Sequence, residues 1–143
     1  MTLTTKSVPF DFENHKANLF RVVSGYSSGD ALLNAYVYAA GVTDRLQLVA
    51  RGKALSGDVS RFLSQSALSA LAVLDATRHG FKGERRADLE AAIALLEPVC
   101  SRLADGESPD EPIRFAEAAK LAKAADDAAH AINRAREYLE AAA

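Results

Sequence analysis

A single cysteine, Cys100, leaves this chain of 143 residues no means of forming an internal disulfide. That excludes the stapled frameworks of small secreted domains and suits a reducing compartment. A nucleophilic thiol needs a base and an electropositive setting. Cys100 instead stands among Pro98, Val99 and Leu103 and reads as a packing residue. Tryptophan is absent, and four prolines and eight glycines are all that punctuate the chain, so long segments can run unbroken. Long hydrophobic runs are lacking too: no window approaches the roughly 20 apolar residues of a membrane span. The opening MTLTTKSVPFDFENHK has no apolar stretch of the secretory type. The expectation is a cytoplasmic protein with no membrane association. A glycine-rich phosphate loop, a nucleophile elbow and a Glu-x-x-His di-iron signature are also missing, so neither a cofactor nor an enzymatic activity is expected.

What the chain has in quantity is alanine and leucine at helical spacing. Hydrophobic residues make up 49% and charged residues 25%, the balance of one globular domain, and a chain of this length buries about 68% of its unfolded surface. Residues 1–24 read as an extended arm holding Pro9, Phe10, Phe12 and the short β-branched piece NLFRVV, a strand-like strap; residues 25–143 read as the bundle. Ser27 with Asp30 forms a capping box that opens a helix over 28–51, whose seam is Leu32, Ala35, Ala39, Val42, Leu46 and Val49. Gly52 stops it, and Ser56 or Asp58 caps the next helix.

That second helix, 57–79, is expected to bury Val59, Leu63, Ser66, Ala70, Val73 and Thr77, with Phe62, Ala67 and Leu74 widening the stripe. A third, 84–103, carries Leu89, Ala92, Leu96, Val99 and Leu103, with a kink at Pro98. The loop ADGESPDEP leads to a fourth helix, 111–141, capped by Asp110 with Pro112 in its first turn. Its seam is Ala118, Leu121, Ala125, Ala128, Ile132, Ala135 and Leu139. Together the seams predict an all-α fold, a four-helix antiparallel bundle. The fourth helix, about 45 Å long, outreaches the others and must either fray or pack its end on something else. Thirteen of its last 31 residues, 113–143, are alanine, so its seam suits close approach either to the first helix or to a second copy across a homodimer.

Charge is uneven. Residues 44–86 carry eight Lys and Arg against four Asp and Glu, whereas 87–143 carry six against twelve. The basic residues are spread over two helices and two loops with little aromatic company, which argues against nucleic acid. The two parts are instead expected to face one another, within the chain or across a dimer.

Three histidines remain. His79, Lys82 and Gly83 in RHGFKGERR have a spacing similar to that of histidine-containing phosphotransfer domains, themselves four-helix bundles, where an exposed imidazole carries phosphate beside a cation. His79 stands about 200° round the helix from Thr77, away from the core. Against this, Gly80 follows directly, Glu84, Arg85 and Arg86 stand where that family has small residues, and the apolar stripe must restart before Leu89. A turn in 80–83 follows, with His79 as a cation at a helix C-terminus and Gly80 as its left-handed cap. His15 lies in the arm. His130 with Asp126 is at most a weak metal pair on a solvated face, and Glu117, Asp126, Asp127, Glu137 and Glu140 read as exposed, partly paired carboxylates. No metal is expected.

The stretch from NLFRVV through SALSALAVLDATRHG, with Leu19, Phe20 and Val22, Gly25 before a capped turn, and Ala31-Leu32, resembles small helical proteins of pseudomonads and related proteobacteria, a family of unknown function, over about residues 18–79. The resemblance implies a compact helical module that self-associates, and brings no catalytic residue. The resulting expectation is a non-enzymatic protein-binding module, a regulator, inhibitor or adaptor that is also a homodimer. Aromatic anchors usually dominate such interfaces, and the candidate binding residues are Phe10, Phe12, Leu19 and Phe20 of the arm, Tyr26, Tyr36 and Tyr38, and Leu121, Ile132 and Leu139 of the last helix. Tyr36 and Tyr38 cannot both lie on the seam. The alternatives are phosphotransfer through His79 and Lys82, and a helical ligand-binding protein.

Overall fold

The computed structural model describes residues 5, 8–10, 20–22, 27–106 and 112–142. Among these, α1 spans Ser28–Ala50, α2 Gly57–Arg78, α3 Gly83–Asp105 and α4 Phe115–Ala142. Each helix packs chiefly on two others, in the ring α1–α2–α3–α4, and α1 lies most closely on α4. This is the four-helix antiparallel bundle that the seams require.

Local chemistry sets the ends. Ser27 is the N-cap of α1, its Oγ accepting from the Asp30 amide at 3.2 Å and donating to the Asp30 carboxylate at 2.9 Å. Ser56 caps α2 by accepting from the Val59 amide at 3.2 Å. Gly52 ends α1 at φ 104°: its amide donates to Val49 and that of Lys53 to Leu48, a Schellman arrangement that needs a residue in the left-handed region.

The first, third and fourth seams are where their spacing put them. Leu32, Ala35, Ala39, Val42, Leu46, Leu89, Ala92, Leu96, Val99, Leu103, Ala118, Ala125, Ala128, Ile132 and Ala135 are all fully buried, and Val49 nearly so. Leu121 and Leu139 flank the core half-buried. The alanine seam of α4 is thus covered by its own chain. Pro98 and Ala94, whose carbonyl loses its donor there, both lie on the exposed face of α3, and the helix continues through them to Asp105.

α2 differs. Its buried set keeps Leu63, Ala67, Ala70, Leu74 and Thr77 of the expected stripe and adds Ser60, Leu68, Leu71, Ala72 and Ala76, which shifts its centre roughly 70° round the helix. Val59, Ser66 and Val73 are half-buried margins, and Phe62 is exposed. The reason is a third neighbour. The arm folds back on itself as β1, Val8–Phe10, antiparallel to β2, Phe20–Val22, with Val8 opposite Val22 and Phe10 opposite Phe20. This ribbon lies against α2, which is therefore covered on two sides. NLFRVV supplies β2 as its β-branched residues suggest; the returning strand β1 was not foreseen.

Two turns also depart from expectation. α2 ends at Arg78, and the amides of Gly80 and Phe81 donate to Thr77 and Arg78 in a tightened last turn. Gly80 is not the left-handed residue. That role falls to Gly83, at φ 60°, which opens α3. Between them Phe81 turns inward and is buried, closing that end of the core. At the other end Ile113 does the same, so α4 starts at Phe115 and Pro112 lies exposed before it, not in its first turn. The expected Asp110 cap lies outside the described residues.

Candidate interaction surface

The sequence-derived candidates scatter. Tyr36 is half-buried against the core and Tyr38 is exposed, so one of the pair does leave the seam. Ile132 is fully buried within the chain and offers nothing to a partner. Leu121 and Leu139 are half-buried on α4. Phe10 and Phe20 are partners in the strand register, while Phe12, His15, Leu19 and Tyr26 lie outside the described residues.

His79 and Lys82 are both exposed, but they sit on either side of a turn, His79 closing α2 and Lys82 preceding α3. The spacing that resembles a phosphotransfer motif therefore spans a break rather than one helical face. His130 Nδ1 lies 2.8 Å from the Asp126 carbonyl and 3.6 Å from its carboxylate on an exposed face, and no cluster of metal-ligating side chains occurs among the described residues. Cys100 is buried, its thiol donating to the Ser64 carbonyl at 3.4 Å, as befits a packing residue.

Charge pairing divides the surface. On the α3–α4 side, Arg102 holds Glu117 through Nε at 2.7 Å and a second nitrogen at 3.0 Å, the two-pronged geometry that makes such pairs strong. Asp88 receives Arg134 from α4 and Arg85 from its own helix, both at 3.3 Å. Arg85 also lies 5.9 Å from the Tyr138 ring, so the end of the long fourth helix is tied to the start of α3. The expected meeting of the basic and acidic parts is seen in Arg85 with Asp88 and Arg86 with Glu90, whereas the helix-to-helix pairs Arg102–Glu117 and Asp88–Arg134 each lie within 87–143.

The α1–α2 side is different in kind. A groove of about 520 Å³ runs between the two helices, with Val37, Tyr38 and Gly41 on α1 and Val59, Phe62 and Ser66 on α2. Its rim is apolar and bare: Phe62 is 66% exposed, Val37 58% and Tyr38 42%, with Leu33 one turn before Val37 also at 42%. Single exposed apolar residues are ordinary, whereas three around one groove are not. Gly41 has no steric reason to be glycine, since a Cβ there meets nothing within 4 Å, yet glycine in mid-helix costs about 0.5–1 kcal/mol relative to alanine. At one end stand Arg45 and Asp58, on opposite helices, both exposed and neither in an ion pair among the described residues.

Of the groove's residues, the sequence singles out Tyr38 as a binding candidate. Leu33 and Val37 stand more than about 100° from the α1 seam, a signal that was available, while Phe62 was drawn into the α2 core stripe. No helix among the described residues is long and apolar enough to cross a membrane. No family model matches the chain, nor does any curated protein or any solved structure.

Proposed function

We propose that the protein acts by binding rather than turnover, as a small cytoplasmic regulator, inhibitor or adaptor that takes an apolar segment of another polypeptide into the α1–α2 groove and also self-associates. The observation that carries this is the exposure of Phe62, Val37 and Tyr38 round one cleft, with Leu33 exposed one turn further along α1. Aromatic and branched side chains held on rigid helices make effective anchors, because little conformational entropy is lost when they are covered. Glycine at position 41 allows a bound chain to approach the helix closely. The resemblance of residues 18–79 to small self-associating helical proteins is in keeping with this role. A small apolar ligand is the second reading, since the groove has the volume of a ligand site.

The test is affinity capture from the native host with wild-type protein and Phe62→Glu side by side, partners being identified by mass spectrometry and confirmed with purified components. A partner held by wild type and lost with Phe62→Glu is expected. Identical capture by both proteins would refute the groove as the binding surface.

A further inference from the structure

In protein on its own, we infer that the occupant of the α1–α2 groove is a second copy of this chain, joined about a two-fold axis near Phe62, with Arg45 of each copy paired to Asp58 of the other. This rests on the groove being the binding surface proposed above and names its partner.

The alanine seam of α4, the obvious dimer surface in the sequence, is not available, because Ala118, Ala125, Ala128 and Ala135 are fully buried within the chain. The α3–α4 surface has matched its own charges through Arg102–Glu117 and Asp88–Arg134. The α1–α2 groove sets an exposed apolar rim beside Arg45 and Asp58, neither of which is in an ion pair among the described residues. A two-fold interface must be self-complementary: if one residue meets another across it, the reverse contact occurs too. The groove meets that demand twice. It offers both a projecting ring, Phe62, and a hollow beside Gly41 and Val37 able to receive one. It also sets a cation, Arg45, and an anion, Asp58, at one end with no ion pair to either among the described residues, so two copies brought together there satisfy both charges of each. Apolar surface at the centre with charge at the rim is the usual anatomy of such contacts. Dimerisation and partner capture then compete for one surface, and each weakens the other by mass action.

Charge reversal across the two-fold is the test, read by sedimentation equilibrium. Wild type is expected to be a dimer. Arg45→Glu alone sets two carboxylates together at each contact and Asp58→Arg alone two guanidiniums, so each variant sediments as a monomer. Mixed in equal amounts, the two restore both pairs and the mass doubles, which pairing within one chain does not produce. Circular dichroism checks that each variant is folded; should either fail, Phe62→Ser and Gly41→Leu are each expected to give folded monomers. A wild-type monomer at the highest soluble concentration overturns the inference, as does a dimer that survives all four substitutions, a mixture that stays monomeric, or a monomer that carries a small molecule into native mass spectrometry. A monomer that still captures a partner through Phe62 sinks this inference and leaves the proposed function standing. A Phe62-dependent dimer that captures nothing supports the inference and sinks the partner reading alone.

Discussion

The two long faces of this bundle close in opposite ways. Where α3 meets α4, the outer rim is stitched by Arg102–Glu117, Asp88–Arg134 and the Arg85–Tyr138 contact, and the apolar residues beneath are wholly covered. Where α1 meets α2, a covered seam lies under a rim of exposed Val37, Tyr38 and Phe62, with Arg45 and Asp58 in no ion pair among the described residues. Both faces bury an apolar seam along their length. The difference is that one face satisfies its own surface chemistry and the other leaves it to be satisfied from outside. The ion pairs that join two helices therefore lie at α3–α4, and the exposed apolar groove lies at α1–α2.

Substitutions can break that contrast, and the largest effect is expected beneath the rims. Leu96 is fully buried on α3, and Leu96→Ala removes apolar contacts and leaves a cavity, for a loss of about 2–5 kcal/mol in urea unfolding. Leu46→Ala on α1 is expected to fall in the same range, because the seams are alike even though the surfaces above them are not. A much smaller loss at Leu46 would mean that the α1–α2 side is loosely packed throughout, and would remove the distinction between core and rim.

Next in size is the ion pair. Arg102 is largely covered and holds Glu117 with two hydrogen bonds, so Arg102→Gln is expected to cost about 1 kcal/mol, and less in high salt. Arg45→Gln on the other face removes no partner and is expected to change unfolding by less than about 0.5 kcal/mol. Equal losses from the two substitutions would show that Arg45 has a structural role after all.

How far the sequence revealed this depends on the helix. α1, α3 and α4 each show a stripe of apolar residues against a polar remainder, and a period of alternating three and four steps locates such a stripe unambiguously. α2 offers no such contrast. In SALSALAVLDA small and apolar residues occur on every side, because the β1–β2 ribbon covers a second face, and a stripe can be drawn through them in more than one place. A stripe through Val59, Ser66 and Val73 turns Phe62 toward the core, whereas the observed one leaves it exposed beside the groove. The turns failed for another reason: Phe81 and Ile113 lie outside any periodic segment, yet each folds in to plug an end of the core, and that moves a helix boundary by a few residues. Which glycine becomes left-handed, Gly80 or Gly83, follows from where Phe81 must point, a tertiary matter that local spacing does not encode.

Gly41 supplies the smallest and sharpest comparison, because fold and recognition pull on it in opposite directions. As an exposed mid-helix residue with nothing within 4 Å of a Cβ, it is poorer for α1 than alanine, and Gly41→Ala is expected to raise stability by about 0.5–1 kcal/mol in urea unfolding. The same methyl narrows the groove between Val37 and Phe62, and weaker association should accompany the gain. Gly29, also open around its Cβ but away from the groove, is the control: Gly29→Ala is expected to leave association unchanged. Stability rising with no loss of association at Gly41 would show that the glycine serves neither the fold nor the groove. A gain in one coupled to a loss in the other would show that α1 gives up helix stability at this position to keep its outer face open.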